Sequence, residues 1–136
     1  MARRRRGTAV VIRKGRVLLV RDRGRSRFSL PGGGIKKGEP TVSAAARELY
    51  EELGLRAQEV TRLHHCDYKS PLTEHRVCLI EASGEPHLLG HELNKYIWWD
   101  MKTPIQVFGH VTVILNAYQR GEHANRGSKR GGASLT

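Results

Sequence analysis

Short apolar blocks separated by charged or glycine-rich breaks make up the first third of the chain. Residues 8–12 and 16–21 are rich in Val, Ile and Leu, and Lys14-Gly15 between them reads as a hairpin turn. Charge and Gly24 interrupt residues 23–27, and Phe28-Ser29-Leu30 is an apolar step ending at Pro31. Gly32-Gly33-Gly34 and Gly38 then bound a loop in which no regular element is expected. From Thr41 or Ser43 the residues are strong helix formers as far as Leu53, and Gly54 supplies the stop. Strand character returns at 58–68 and 75–82, around a turn at Ser70-Pro71-Leu72-Thr73, and again at 96–99 after a loop. Thr103-Pro104 is expected to start a second helix, with Ile105, Phe108, Val111, Thr112, Leu115 and Tyr118 at helical spacing up to Gly121. Strands, glycine loop, helix, strands, helix is an order that implies an α/β sandwich with a mixed β-sheet.

Composition narrows the class. The chain has 136 residues, enough for one domain, and its 38% hydrophobic content lies above that of a disordered segment. Its formal charge of +11 excludes an acidic, solvating protein and suggests a polyanionic partner. The charge is unevenly placed: +4 in Arg3–Arg6, +2 in residues 121–136 and +5 in the rest. We therefore expect a basic N-terminal tail (1–6), one folded domain (7–120) and a flexible basic C-terminal tail (121–136). Solvated tails are the plainer meaning of such ends, and contact with nucleic acid is the sharper one. No apolar run reaches the ~20 residues that span a bilayer, so no membrane partner is expected and the cytoplasm is the expected location. The oligomeric state stays open, a dimer included. Cys66 and Cys78 would lie opposite each other across a hairpin centred near residue 72, as buried free thiols or, in an oxidising compartment, a disulfide.

The chemistry concentrates between Gly33 and Leu55. Glu48, Glu51 and Glu52 stand at i, i+3 and i+4, so they share a helical face. Like charges at that spacing cost a helix ~0.2–0.5 kcal/mol per pair. Isolated glutamates are ordinary on a surface helix, but three on one face beside a glycine turn suit a hard divalent cation. Mg²⁺ fits best, taking a few carboxylates and filling its shell with water and phosphate. The glycines let the backbone approach closely, so a carbonyl there can join the coordination.

The spacing Gly33, Glu39, Arg47-Glu48-Leu49-Tyr50-Glu51-Glu52-Leu53-Gly54-Leu55 matches the pattern G-x5-E-x7-R-E-U-x-E-E-x-G-U, U being aliphatic. It resembles the Nudix box at every specified position, and the chain looks like a compact, MutT-like member. That resemblance implies the Nudix α/β/α sandwich and Mg²⁺-dependent hydrolysis of a pyrophosphate bond in a nucleoside diphosphate linked to another group, Mn²⁺ being a substitute. It makes Glu48, Glu51 and Glu52 the metal carboxylates, Glu52 the most indispensable, with the Gly32 carbonyl as backbone ligand. Gly33, Glu39, Arg47 and Gly54 would brace the box. A base that accepts the proton of the attacking water comes, in many members, from a loop before a late strand. Glu92 is the nearest match, with Glu74, Glu81 and Glu85 as rivals and Glu51 or Glu52 as fallback.

Substrate is less legible. Arg21, Arg23, Arg25, Arg27, Lys36 and Lys37 are candidates for phosphate, and Phe28, Tyr68, Trp98 or Trp99 for stacking on a base. Trp98 and Trp99 must face opposite ways if they are in a strand. His75 or His91 is a further candidate near the cleft. A (d)NTP or related nucleotide is the expected substrate. The alternatives are the triphosphorylated 5′ end of RNA, a nucleic-acid-binding role for the basic tails, and an ADP-ribose-type compound, to which Pro71 is a weak pointer.

Overall fold

The computed structural model describes residues 3–131, with side chains described through Glu122. Its elements are β1 (Arg4–Val10), β2 (Ile12–Arg13), β3 (Arg16–Asp22), β4 (Gly32–Gly34), α1 (Thr41–Leu53), β5 (Arg56–Arg62), β6 (Tyr68–Lys69), β7 (Thr73–Ser83), β8 (Leu93–Trp99) and α2 (Gly109–Gly131), with a 3₁₀ turn at His64–Cys66. The strands form two sheets. One is mixed, ordered β4-β1-β7-β5 with β6 also on β7, and its β1–β7 pair is parallel. The other, β2-β3-β8, is antiparallel.

The apolar runs are continuous because both faces of these strands are covered. Ala9, Val11, Leu18 and Val20 pack with Ala45, Leu49 and Leu53 of α1. Their neighbours Val10, Val17 and Leu19 point the other way, against Val111, Ile114 and Leu115 of α2. Successive residues alternate faces, and burial of both faces removes the polar positions of a half-exposed strand. The layers are helix, sheet, helix, as expected. Trp98 joins the α1 side and Trp99 the α2 side, so neither indole is offered to a base.

Several boundaries depart from expectation. Gly32–Gly34 is a strand, not an irregular loop: it pairs antiparallel with Arg6–Thr8 of β1. The pairing needs glycine, since Gly32 has φ +146° and a Cβ there would collide with the Gly7 carbonyl. Arg4, Arg5 and Arg6 are not a tail. They lie in β1, opposite Thr73, Glu74 and His75 of β7. Arg3 also donates to the Ser70 carbonyl at 2.8 Å. Met1 and Ala2 lie outside the described residues.

The second helix starts at Gly109 rather than at Thr103. The Asp100 carboxylate accepts from the amides of Lys102 (2.9 Å) and Thr103 (2.7 Å), closing a turn. Beyond it Phe28 donates to the Gln106 carbonyl and Phe108 donates to that of Phe28, a bridge that holds the segment extended. The helix then runs through Gly121 to Gly131, so the expected C-terminal tail is helical as far as residue 131, and residues 132–136 lie outside the described residues. Gly121 is a close approach, not a stop, because a Cβ there would meet the His65 ring. Cys66 and Cys78 are both free and buried, in the α2-side and α1-side cores respectively, and Cys78 stands opposite Arg62. Among the described residues no helix is long and apolar enough to cross a membrane.

Candidate active site

Helix α1 is laid onto β1 by small residues. Ala44 and Ala45 are fully buried, and a Cβ on Gly7 would stand 2.9 Å from the Ala45 nitrogen. The same close approach brings the acidic turns of α1 over the β4 glycines, where a Cβ on Gly33 would collide with the Glu48 carboxyl. The helix ends at Gly54, in the left-handed conformation (φ 70°), whose amide donates to the Tyr50 carbonyl. Leu49, Leu53 and Leu55 are fully buried, as expected of core residues.

Arg47 organises the carboxylates. It forks onto Glu39 at 2.8 and 3.0 Å, and it also reaches Glu48 (2.8 Å), Glu51 (3.2 Å) and the Gly34 carbonyl (3.0 Å). The hydrogen bonds from Arg47 and from the Lys36 amide hold the Glu39 carboxyl down at about 2. Glu39 and Arg47 thus tie the loop of residues 35–40 to the helix.

Glu48 and Glu52 are brought together, and Glu51 is not. Glu52 is pushed up to about 8 by burial first, then by a hydrogen bond to Glu48 and by its charge, with Arg6 pulling the other way. Two carboxyl groups this close need a proton or a cation between them. Glu51, half exposed, leans on Arg47 instead, and among the described residues no three His, Cys, Asp or Glu side chains converge as an ion would require. The Glu48–Glu52 pair nevertheless fits a hard cation. An exposed i,i+4 ion pair of the Glu51–Arg47 kind is worth only ~0.3–0.5 kcal/mol, so Glu51 can be drawn in.

These carboxylates form one wall of a cleft of about 1020 Å³, together with Gly32, Gly33 and Glu92. Glu92 lies on the exposed β7–β8 loop, near enough to raise Glu52 further. That loop is fastened to the end of α1, where Leu89 and His87 donate to the carbonyls of Glu52 and Leu53 at 3.0 and 2.9 Å. Of the rivals, Glu74 pairs with Arg76 and Glu85 lies near Arg13. Neither these nor Glu81 lines the cleft.

The expected substrate contacts divide: Arg25, Tyr68, His75 and His91 line the cleft, and the others, Arg21, Arg27, Lys36 and Phe28 among them, do not. Arg21 bonds Asn94 and lies 5.3 Å from the centre of the buried Phe28 ring, and Arg27 lies 5.9 Å from that of Phe108. The cleft's cations are Arg4, Arg5, Arg6 and Arg25, and its rings are Tyr68, His75, His91, Phe108 and His110. Arg6 donates to the Leu30 carbonyl at 2.9 Å, and its Nε is buried with no partner among the described residues. The signal that β1 begins this early is only that the run directly precedes the apolar block Thr8–Val11.

Two sheets between two helices, with an acidic helix turned onto a glycine strand, make an α/β/α sandwich domain. The NUDIX domain model matches residues 3–112, so the chain belongs to the Nudix family. Among solved structures, a Chromobacterium violaceum protein assigned to the nudix hydrolase family is 30% identical with a TM-score of 0.76, covering 98% of this chain and 95% of that one. A MutT NUDIX hydrolase from Burkholderia pseudomallei is 25% identical with a TM-score of 0.76, covering 86% and 98%. Among curated proteins, the RNA pyrophosphohydrolase of Tolumonas auensis is 42% identical over 57 residues, 42% of this chain and 33% of that protein. The matched segment thus spans about a third of that relative.

Proposed function

We propose that the protein hydrolyses a pyrophosphate bond in a nucleotide-type substrate with the help of Mg²⁺. The observation that carries this is the lining of one cleft by Glu48, Glu51 and Glu52 of α1, the β4 glycines and Arg4, Arg5 and Arg6. Glu48, Glu52, the Gly32 carbonyl and, once it leaves Arg47, Glu51 would hold the ion. An ion held there would supply the charge that neutralises the pyrophosphate and lowers the pKa of a water.

The chain's own residues supply the rest. Arg6, which lines the cleft, binds a non-bridging phosphate oxygen. Glu92 takes the proton of the attacking water, from a loop whose position is set by its ties to α1. Arg47 and Glu39 hold the carboxylate helix in place without touching substrate. Hydrolysis of a nucleotide panel in Mg²⁺, abolished by EDTA and by Glu52→Gln, is the expected result; unchanged turnover in either case overturns the reading.

A second reading is favoured by Arg4 and Arg5, exposed in β1 at the cleft: the substrate is the triphosphorylated 5′ end of RNA. The names of the curated relatives agree with it. Faster hydrolysis of triphosphorylated RNA than of free nucleoside triphosphate, with a steep salt dependence, is its expected signature.

A further inference from the structure

Opposite the carboxylates, four rings stand in a row along the cleft. Tyr68 of β6 stacks on His75 of β7 (6.2 Å between centroids, 24° between planes). His75 stacks on His110 of α2 (4.3 Å, 20°), and His110 stacks on Phe108 (6.1 Å, 15°). All four line the cleft. The faces of His75 and His110 cover one another at 4.3 Å, while Tyr68 and Phe108, at 6.2 and 6.1 Å from their neighbours, flank that pair with offset rings.

The two imidazoles are built to stay neutral. Burial, with help from Arg6, lowers His75 to about 4; burial, then His75 and Arg6, lowers His110 to about 3. Each has one nitrogen engaged: His75 Nδ1 shares a 2.9 Å hydrogen bond with the Thr8 hydroxyl, and His110 Nε2 accepts from the Leu30 amide at 3.4 Å. His110 therefore carries its proton on Nδ1. That atom and His75 Nε2 have no hydrogen-bond partner among the described residues, and both rings border the cleft. Neutral imidazoles, each with a free ring nitrogen, beside apolar rings suit an uncharged, flat, hydrogen-bonding group and not a phosphate. The phosphate preference lies next door, at Arg6, which senses the charges of Glu52 and Glu48 on one side and lowers both histidines on the other.

We propose that the row Tyr68–His75–His110–Phe108 is the nucleoside wall of the cleft, taking the base and sugar while Arg6 takes the phosphate next to them. The proposal rests on the pyrophosphohydrolase reading for the direction of the substrate. It sets that direction: phosphates toward α1, base toward α2. Offset or edge-to-face packing lets the base lie against the rings, and the free ring nitrogens bond its polar rim.

The test is equilibrium binding of adenosine and guanosine 5′-monophosphate against ribose 5-phosphate, which keeps the phosphate and lacks the base. The monophosphates should bind at least about tenfold tighter, as expected for base–ring contacts of ~1–3 kcal/mol. They should also shift the ring resonances of His75 and His110 in NMR spectra more than ribose 5-phosphate does. Phe108→Leu and Tyr68→Leu should lower monophosphate affinity about tenfold and leave ribose 5-phosphate affinity unchanged, which doubles as the folding control. Equal affinity for the two ligand types, or equal loss of both in the variants, overturns the proposal. Base-dependent binding without hydrolysis of any pyrophosphate substrate supports the wall and overturns the catalytic reading. Hydrolysis that is indifferent to the base overturns the wall alone.

Discussion

At the residue scale, the tension lies in Glu52. Its folded value of about 8 stands above the ordinary carboxyl value of 4.5, so the folded state binds the proton more tightly than the unfolded state. The stability this gives is complete below pH 4.5 and lost as pH rises through 8. Metal-free protein should therefore lose stability from this group across that window, while Glu52→Gln should melt higher than wild type near pH 8. Mg²⁺ needs the ionised form, so its affinity should rise with pH up to about 8, by up to about tenfold per unit. Calorimetric titrations of Mg²⁺ at several pH values check this; a flat profile, or one unchanged in Glu52→Gln, would contradict it. Arg47 is the other key residue. Read as an ordinary surface ion pair, Arg47→Ala would change little. As the hub joining Glu39, Glu48, Glu51 and the Gly34 carbonyl, it should cost about 10- to 100-fold in activity or metal affinity.

At the element scale, the two helices meet the sheets by close approach. Gly121 sits mid-helix, where Ala would normally gain about 1 kcal/mol. Because a Cβ there meets the His65 ring, Gly121→Ala should gain less in wild type than in a His65→Ala background. Thermal melts of the four combinations measure that coupling. The histidines give α2 an acid-sensitive contact. His75 and His110 titrate below their ordinary 6.5, at about 4 and 3, so their contribution is present above pH 6.5 and lost as pH falls toward those values. His110→Gln should flatten the acid limb of the stability curve.

The same elements show what was legible in advance. Residues 33–55 were readable because their chemistry is local: a glycine turn, a helix and its cap lie in one stretch of chain. The alternation of Trp98 and Trp99 was readable for the same reason. Arg3–Arg6 was not, because a run of one residue type carries no period of two, and the pairing of Arg4–Arg6 with β7 depends on residues 69 positions away. The ring row was legible only in part: Tyr68 and His75 stood out as candidates for substrate contact, and Phe108 and His110 did not. Tyr68, His75, Phe108 and His110 come from three elements and a connecting loop, and only the packing of β6, β7 and α2 brings them together. The helical spacing of Ile105 and Phe108 misled because Asp100 closes a turn just ahead of them.

At the scale of the whole molecule, the formal charge of +11 divides into a cleft and its surroundings. Inside, carboxylates on α1 face Arg6, and at the mouth Arg4, Arg5 and Arg25 remain exposed. A polyanion is thus drawn to the opening by the general charge and oriented inside by a few groups. Arg4→Ser with Arg5→Ser should weaken binding of triphosphorylated RNA and lessen its salt dependence, with little effect on a free nucleotide. Hydrolysis of a panel of nucleotides and triphosphorylated RNA, with product identification, tests the central claim most directly. Cleavage of a pyrophosphate bond in Mg²⁺, loss of turnover in EDTA, and at least about a hundredfold lower turnover in a folded Glu52→Gln protein, the scale of a lost catalytic group, are the expected results. Full turnover in EDTA, or in that variant, would contradict that claim.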